Sequence, residues 1–277
     1  MNPSGLSSSG LPINARARRD GTPGRPPLLQ VRGLRKSFGG IQALDGVSFT
    51  LPAGHMLALI GPNGAGKSTC FNALSGQMRP DAGSVLLGGR ELVGLRPQQI
   101  WRQGVGRTFQ TAATFRSMSA RENVQTALLA RDRRLFDGWR RADRHGADEA
   151  LALLEQVGMA SQAQRPCGEL AYGDVKRVEL AMALAHAPRL LLMDEPTAGM
   201  AAAERHALMR LTRSLADTRG IAVLFTEHSL DVVFQHADRI VVLVRGQVLA
   251  DDAPAAIAAD ARVKAAYLGS EPVDAGA

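Results

Sequence analysis

The sequence predicts an α/β fold with a mixed or parallel core sheet, a small antiparallel β subdomain and an inserted helical subdomain. Three observations lead to this prediction. Short apolar runs rich in leucine and β-branched residues alternate with helical stretches, as in parallel sheets covered by helices. Closer to the amino terminus, apolar and polar residues alternate at the period of a half-exposed strand. Between these regions, apolar residues recur three and four positions apart, which predicts helices.

The antiparallel subdomain is predicted from residues 29–34 and 47–51, where apolar and polar residues roughly alternate. A turn at Pro52-Ala53-Gly54 separates the second segment from the apolar run Met56–Ile60. A glycine-rich loop follows this run, and a helix is predicted from Lys67 to about Gly76. Strand, glycine-rich loop and helix therefore follow one another in that order.

The helical insert is predicted to occupy about residues 98–165. Its helices are expected at 120–130 and 147–157, joined by a polar, arginine-rich connection. Apolar strand segments then return at 190–193, 221–225 and 240–244, and one more short helix is expected at about 260–268. The later part of the chain therefore reads as parallel sheet.

Composition limits the classes of function. Residues 1–27 are expected to form a flexible tail, 28–269 the folded domain and 270–277 a second tail. No apolar run approaches the roughly 20 residues of a membrane-spanning helix. The net charge is +7, but the arginines are spread along the chain, so we expect solvated surfaces and no nucleic-acid partner. Cys70 and Cys167 have no metal-ligand spacing and suit a reducing compartment.

The glycine-rich loop carries the most specific chemical signal, because it fits GxxxxGK[ST] between a strand and a helix. Its residues are Gly61, Pro62, Asn63, Gly64, Ala65, Gly66, Lys67, Ser68 and Thr69. Backbone N–H groups of such a loop point at phosphate oxygens, and the following helix adds the positive end of its dipole. Lys67 is expected to reach the β- and γ-phosphates, and Ser68 to bind Mg²⁺. The alternative is a merely structural turn.

A second motif places two acids at the end of an apolar strand. Asp194 and Glu195 follow the run 190–193, and ligands of α/β folds lie at the carboxyl ends of the strands. Asp194 is expected to hold Mg²⁺, and Glu195 to polarise the attacking water as a general base. Alone, the motif fits a solvated strand end equally well. Its pairing with the phosphate-binding loop favours a nucleotide site.

These motifs together resemble those of the ATP-binding subunits of ABC transporters. The resemblance covers about residues 28–269 and includes 170–174, which stand where the family usually has Leu-Ser-Gly-Gly-Gln. It implies that Ala171, Tyr172 and Gly173, before a helix expected at 175–187, face ATP bound by the opposite subunit of a head-to-tail dimer. Ala171 lacks the hydroxyl, Tyr172 is bulky and Asp174 adds a negative charge. A Tyr-Gly pair at this place resembles the signature of the family branch that drives branched-chain amino-acid import.

The resemblance implies roles for three further residues. Gln110 would sense Mg²⁺ and water and couple to the insert, although a lone Gln after a strand is usually a loop residue. His228 would contact the γ-phosphate and hold Glu195 and the water, unless it is a surface histidine. Phe38 would stack on adenine, or else is a core residue of the first sheet. Ala201 stands where many relatives carry an aspartate that links the two ATP sites.

The resemblance also implies the partners and the place of work. They are a second ATP-binding subunit, identical or paralogous, two membrane permease subunits and, indirectly, a periplasmic solute-binding protein. The chain would lie peripherally on the cytoplasmic face of the inner membrane. Phe115 and Met118, within 111–124, are expected to line the groove for a permease helix, with ordinary insert core as the alternative. Residues 266–269 (Ala-Tyr-Leu-Gly) resemble the closing segment of the branched-chain amino-acid import ATPases.

The leading function is hydrolysis of ATP, with Mg²⁺, to power solute import, and branched-chain amino acids are the expected solute. Close relatives serve urea, other amides or aromatic acids. A lipopolysaccharide-type extraction motor resembles the same branch, but its usual signature keeps the serine and double glycine. A soluble ABC protein of ribosomes or DNA typically carries two ATP units or long inserts. A P-loop kinase or GTPase has no place for the signature segment, Gln110 and His228.

Overall fold

The computed structural model describes residues 26–108, 113–133 and 145–268. Gln110, nearly all of the predicted amino-terminal tail and the carboxyl-terminal tail lie outside the described residues. In chain order, the strands are β1 (Leu29–Phe38), β2 (Ile41–Leu51), β3 (Met56–Ile60), β4 (Ala82–Leu87), β5 (Arg90–Glu91), β6 (Val105–Thr108), β7 (Leu190–Asp194), β8 (Ala222–Thr226), β9 (Arg239–Val244) and β10 (Gln247–Asp252). The α-helices are α1 (Lys67–Leu74), α2 (Pro97–Arg102), α3 (Ala120–Arg131), α4 (Ala147–Gln156), α5 (Tyr172–Leu184), α6 (Ala202–Arg219), α7 (Leu230–His236), α8 (Pro254–Ala259) and α9 (Ala261–Leu268).

The smaller sheet has the order β2-β1-β4-β5 and is antiparallel throughout. One face of β1 and β2 is buried and the other is accessible, because side chains of a strand point alternately to the two faces. The predicted antiparallel subdomain is therefore confirmed.

The larger sheet has the order β10-β9-β3-β8-β7-β6, and all of its strands except the edge strand β10 run parallel. Its central strands are apolar at nearly every position because both faces are covered. In β3, Met56, Ala58 and Ile60 pack into one apolar core, whereas Leu57 and Leu59 pack into the other. The parallel core sheet and its mixed edge are as predicted.

Two predicted boundaries were wrong. The helix expected at 175–187 is α5, which begins at Tyr172 and ends at Leu184. Ala171, in an extended conformation, precedes the first turn, and its carbonyl accepts the amides of Asp174 and Val175. Ala187 has a positive φ and Pro188 follows, so the helix does not reach 187. The other predicted helices and the strands β3, β7, β8 and β9 agree with the structure to within two residues at their ends, whereas β1 extends to Phe38 and β2 begins at Ile41, beyond the predicted 29–34 and 47–51.

A strand of the core sheet lies within the residues predicted as the helical insert. β6 lies inside the predicted insert 98–165, yet it pairs in parallel with β7 at the edge of the core sheet. Ile100 of α2 is buried in the same apolar core as β4 and α1. β6 was not predicted from the sequence because Gly106 and Arg107 interrupt its apolar pattern. The division of the chain into tails, domain and insert otherwise stays a prediction.

The described ranges also bear on membrane insertion. Among their helices, none combines the length and the apolar character that a crossing of the bilayer requires.

Candidate nucleotide site

The loop Gly61–Thr69 joins the carboxyl end of β3 to the start of α1, and two of its glycines are required by close packing. Gly66 precedes α1 with φ 102°, and a Cβ there would collide with the carbonyl oxygen of Ala43. A Cβ on Gly61 would collide with the carbonyl oxygen of Leu243. The loop therefore lies against the backbone beneath it and leads into the amino terminus of α1, where a helix favours anions.

Lys67 is held inside the loop. Its Nζ donates hydrogen bonds to the carbonyl oxygens of Gly61, at 2.6 Å, and Pro62, at 3.1 Å. Burial lowers the pKa of Lys67, and the nearby carboxylates of Glu195 and Asp194 oppose this shift. The loop and the acidic strand end, predicted separately from the sequence, thus meet at one site.

The two acids lie at the carboxyl end of β7, beside the end of β8. Asp194 is in register with Thr226, whose Oγ1 donates to Asp194 Oδ1 at 2.9 Å. The same hydroxyl oxygen accepts the amide of Glu195 at 3.0 Å. His228 Nε2 lies 2.8 Å from Glu195 Oε1, so the predicted histidine is adjacent to the predicted base. The His228 side chain is 55% exposed and is paired with Glu195.

Glu195 has an unusual backbone conformation. Its φ of 46° lies in the left-handed region, which side-chain-bearing residues adopt rarely and at a cost of about 1–3 kcal/mol. The bond from its amide to Thr226 and the contact of its carboxylate with His228 hold it there. Such strain persists only where the surrounding structure determines the conformation.

Arg107 is a site residue that the sequence prediction missed. Its guanidinium donates to Asn72 Oδ1 on α1 at 3.2 Å and to Oγ of Ser75, directly after α1, at 2.6 Å. It also approaches Asp194 Oδ2 at 3.4 Å. Burial lowers the pKa of Arg107, while Asp194 opposes the shift. Arg107 therefore joins β6, α1 and the acidic strand end. A lone arginine in a short strand gives no sequence signal for this role.

The signature residues start α5 and face the loop that follows Glu195. Tyr172 is 44% exposed, and the Nζ of Lys176 lies 5.8 Å from the centre of its ring. A Cβ built on Gly173 would lie 3.3 Å from the terminal methyl group of Met200. Ala171 is exposed at the start of the helix. Within one chain, these residues are thus neighbours of the loop 197–201.

Phe38 ends β1 on the surface. Its side chain is 51% exposed, and Lys36 Nζ lies 5.3 Å from the ring centre. A core role for this phenylalanine is therefore wrong, and the ring remains available for stacking.

Tyr267 connects the carboxyl-terminal helix to the phosphate-binding loop. Its side chain packs against the main apolar core, and its phenol oxygen is hydrogen-bonded by the backbone of Gly61. Burial raises the pKa of Tyr267 to about 12, and the bond from Gly61 opposes that shift. The sequence marked this tyrosine only as part of a closing segment. Its partner lies some two hundred residues away in the chain, which local patterns do not reveal.

The donor set suits a divalent cation only together with a phosphate. Asp194 and the hydroxyl of Ser68 are hard oxygen ligands, which Mg²⁺ prefers. Within the described ranges, no group of three histidine, cysteine, aspartate or glutamate side chains could hold a metal by itself. Mg²⁺ in nucleotide sites is commonly held by one or two protein groups plus phosphate oxygens and water, which matches this arrangement.

A phosphate-binding loop that meets two carboxylates and a histidine at the carboxyl edge of a parallel sheet defines a P-loop nucleoside triphosphatase. The family model described as "ABC transporter" matches residues 44–198, and the model described as "Branched-chain amino acid ATP-binding cassette transporter" matches residues 247–273. The chain belongs to the ABC transporter family. It is an ATP-binding, ATP-hydrolysing subunit of that family.

Curated relatives match almost from end to end. The chain is 38% identical over 253 residues to the high-affinity branched-chain amino acid transport ATP-binding protein BraF of Pseudomonas aeruginosa, with 88% of this chain and 98% of the relative covered. It is 39% identical, over the same shares of both chains, to LivG of Escherichia coli, which has the same descriptive name.

Solved structures agree with the fold. The crystal structure of the ADP conformation of MJ1267, an ATP-binding cassette of an ABC transporter, superposes with a TM-score of 0.81 at 30% identity. That match covers 89% of this chain and 100% of MJ1267. Both core sheets and the nucleotide-binding character of the fold are thereby supported independently of the motifs.

Proposed function

We propose that the protein powers the import of branched-chain amino acids, by hydrolysing ATP, through separate membrane permease subunits. The observation that carries the hydrolytic role is the 2.8 Å contact between His228 and Glu195, opposite Lys67. The carboxyl-terminal match over residues 247–273 supports the branched-chain branch in particular.

ATP would bind with its phosphates in the loop Gly61–Thr69. Backbone amides of the loop and the start of α1 face the phosphate oxygens, and Lys67 exchanges its bonds to Gly61 and Pro62 for bonds to the β- and γ-phosphates. Phe38 offers an exposed ring for stacking on adenine. The loop and the ring thus hold opposite ends of the nucleotide.

Mg²⁺ would be held by Ser68 and Asp194, with Gln110 as a further ligand, and would offset negative charge on the phosphates. Thr226 and Arg107 fix the Asp194 carboxylate from two sides, at 2.9 Å and 3.4 Å. A carboxylate held in this way keeps one orientation. These two contacts would therefore orient the Asp194 carboxylate toward the metal ion.

Glu195 would take a proton from the attacking water. The imidazole of His228 holds the carboxylate by their 2.8 Å contact and would also face the γ-phosphate. Because the backbone of Glu195 is fixed in the left-handed region, its side chain points from a defined position at the end of β7. Glu195 and His228 are accordingly proposed as the catalytic residues, together with Gln110.

A complete site would need a second subunit, identical or similar to this one. Ala171 and Tyr172 are exposed at the start of α5, and Gly173 beside them is buried. A helix amino terminus suits an anion. The backbone amides there would face the γ-phosphate bound to Lys67 of the opposite subunit. Asp174 in the first turn places a negative charge nearby. The N–H groups of the helix start would therefore make the contact, without the hydroxyl that Ala171 lacks.

The permease would contact the segment before α3. Phe115 is 57% exposed, and its backbone N–H and carbonyl are both bonded to the side chain of Asn123, which is buried. An exposed aromatic ring on a rigidly held loop is typical of an interface anchor. Met118, half-buried beside it, would line the same groove. The subunit would then act from the cytoplasmic face of the inner membrane, with a periplasmic solute-binding protein on the other side.

The solute needs its own test, because relatives of similar identity serve different solutes. The chain is also 38% identical, over 231 residues, to the ribose import ATP-binding protein RbsA 2 of Streptomyces avermitilis, and it spans 44% of that relative. The match over residues 247–273 favours amino acids over sugars.

The experiment is co-purification of the tagged chain from its native membrane, followed by reconstitution of the complex with its solute-binding protein. We expect leucine, isoleucine or valine to bind that protein and to stimulate ATP turnover in vesicles. A complex with the Lys67→Ala subunit is the control and should show no stimulated turnover. Stimulation by a sugar or urea but not by these amino acids would contradict the proposal.

A further inference from the structure

The last residue of β8 and the two residues after it bond to the residues that end and follow β7. Thr226 bonds to Asp194 and Glu195, and His228 contacts Glu195. Between them, Glu227 turns to Thr197 instead. Every member of the 226–228 segment therefore holds a different part of the acidic strand end.

The contact of Glu227 with Thr197 is buried and doubly bonded. Glu227 Oε1 accepts the backbone amide of Thr197 at 2.9 Å and its hydroxyl at 2.6 Å. Glu227 is 6% exposed and Thr197 is 1% exposed. A buried carboxylate is kept only where donors satisfy it, and bonds to a charged acceptor are about twice as strong as neutral ones.

The position of this contact relates it to catalysis. Thr197 is two residues from Glu195, whose left-handed φ of 46° must be held by its neighbours. Glu227 is adjacent to His228 in the chain. The loop that continues from Thr197 reaches Met200, which lies against Gly173 at the start of α5. Glu227 thus links the end of β8 to the loop that follows β7, beside the proposed base. The same loop continues to the start of α5, the helix proposed to face the phosphate.

We propose that Glu227 and Thr197 form a clamp that positions Glu195 and His228 for ATP hydrolysis. The proposal rests on the proposed catalytic roles of those two residues and adds Glu227 and Thr197 as positioning residues. Neither side chain is among the residues proposed to bind the nucleotide. Loss of the clamp therefore lowers kcat and leaves the KM for ATP nearly unchanged, since the loop Gly61–Thr69 is untouched.

The test is the kinetics of Thr197→Val in the complete transporter. Valine keeps the shape of threonine and removes the bond from the hydroxyl to Glu227. A hydrogen bond to a charged group corresponds to about a tenfold or larger effect, so kcat should fall about tenfold while the KM for ATP stays within about twofold. Thr197→Ser keeps the hydroxyl and should restore kcat to within about threefold of the parent.

The matched control is Thr212→Val. Thr212 is also a fully buried threonine, and its hydroxyl donates to the Leu208 carbonyl at 3.0 Å within α6, away from the site. Both valine variants lose one buried hydrogen bond, so the melting temperature should fall in both, and further in Thr197→Val because its lost bond is to a carboxylate. Only Thr197→Val should lose kcat.

Two variants of Glu227 extend the test. Glu227→Gln keeps an oxygen acceptor and should retain more activity than Glu227→Leu, which has none. In the Glu227→Gln background, Thr197→Val should cause a smaller fall in kcat than in the parent, because the two side chains act through one contact. If Glu227→Leu does not fold, Glu227→Gln and the Thr197 variants still decide the outcome.

Failure of the clamp can be told from failure of the proposed function. If Glu195→Gln hydrolyses ATP normally, the proposed base is wrong. If Glu195→Gln is inactive but Thr197→Val turns over like Thr212→Val, the clamp alone is wrong. A rise in KM for ATP with kcat unchanged would also overturn it, because that pattern means a role in nucleotide binding.

Discussion

At the scale of single residues, the site is assembled from side chains whose partners lie on other elements. Lys67 meets Asp194 and Glu195 only because β3 and β7 end at the same edge of one sheet. The motifs predicted these three residues, since each motif has its own chemical pattern. Thr197 and Glu227 give no such pattern, because a threonine and a glutamate in polar loops are ordinary residues until the fold brings them together.

Glu195→Gln tests the base. Glutamine keeps the shape and can still contact His228, but it cannot take a proton from water. We expect turnover to fall about a hundredfold or more, as for loss of a general base, with ATP binding retained. An ATP-bound dimer should accumulate in size-exclusion chromatography with ATP. A variant that stayed monomeric and hydrolysed ATP normally would show that Glu195 is not the base.

At the scale of elements, the sequence predicted β1–β3 and β7–β9 but missed β4, β5, β6 and β10. Strands that are covered on both faces can be predicted because nearly all of their residues are apolar, as in β3. Gly106 and Arg107 interrupt the apolar pattern of β6. In the structure, the partly buried Arg107 bonds to Ser75 and Asp194. The start of α5 was misplaced for a related reason. Its first turn carries Tyr172, Gly173 and Asp174, which resemble a loop when read locally.

Tyr267→Phe tests the link between α9 and the phosphate-binding loop. Phenylalanine keeps the packing of the ring and removes the oxygen that accepts the Gly61 backbone. Loss of one hydrogen bond corresponds to roughly 1 kcal/mol, so we expect the KM for ATP to rise about threefold to tenfold. ATP titration of the purified subunit measures this. An unchanged KM would mean that α9 supports the fold without influencing the loop.

His186, just beyond the end of α5, makes stability depend on pH. Burial lowers its pKa to about 4, and its ring lies 4.5 Å from that of Trp101. Below the ordinary histidine pKa of about 6.5, the unfolded chain binds a proton that the folded protein does not. The free energy of unfolding should therefore fall as the pH is lowered from about 6.5 toward 4.

Urea unfolding between pH 7 and pH 4.5 measures this dependence. His186→Gln, which cannot titrate, should show a weaker loss of stability over the same range. An equal slope in the parent and the variant would assign the pH dependence to other groups.

At the scale of the whole molecule, two functions are built at different places. ATP chemistry lies at the edge where β3, β7 and β8 end, whereas Phe115 stands on the segment before α3. Main-chain bonds join that segment to the chain entering α5. The Cys167 amide bonds to the Met118 carbonyl, and the Gly168 amide to the Arg116 carbonyl. On the proposed function, a displacement of this segment by the permease would be passed to the start of α5 through these main-chain bonds.

Phe115→Ala tests whether docking and hydrolysis are separable in this way. The ring is exposed, so its removal should leave the fold and the ATP turnover of the isolated subunit close to the parent values. In the reconstituted transporter, we expect solute-stimulated turnover to fall at least about tenfold, as for an interface anchor. Ile41→Ala, which removes an even more exposed apolar side chain from the tip of the β1–β2 hairpin, is the control and should retain stimulation. If both variants keep full stimulation, the permease binds elsewhere, and the rigid connection from Met118 to Cys167 only supports the helices.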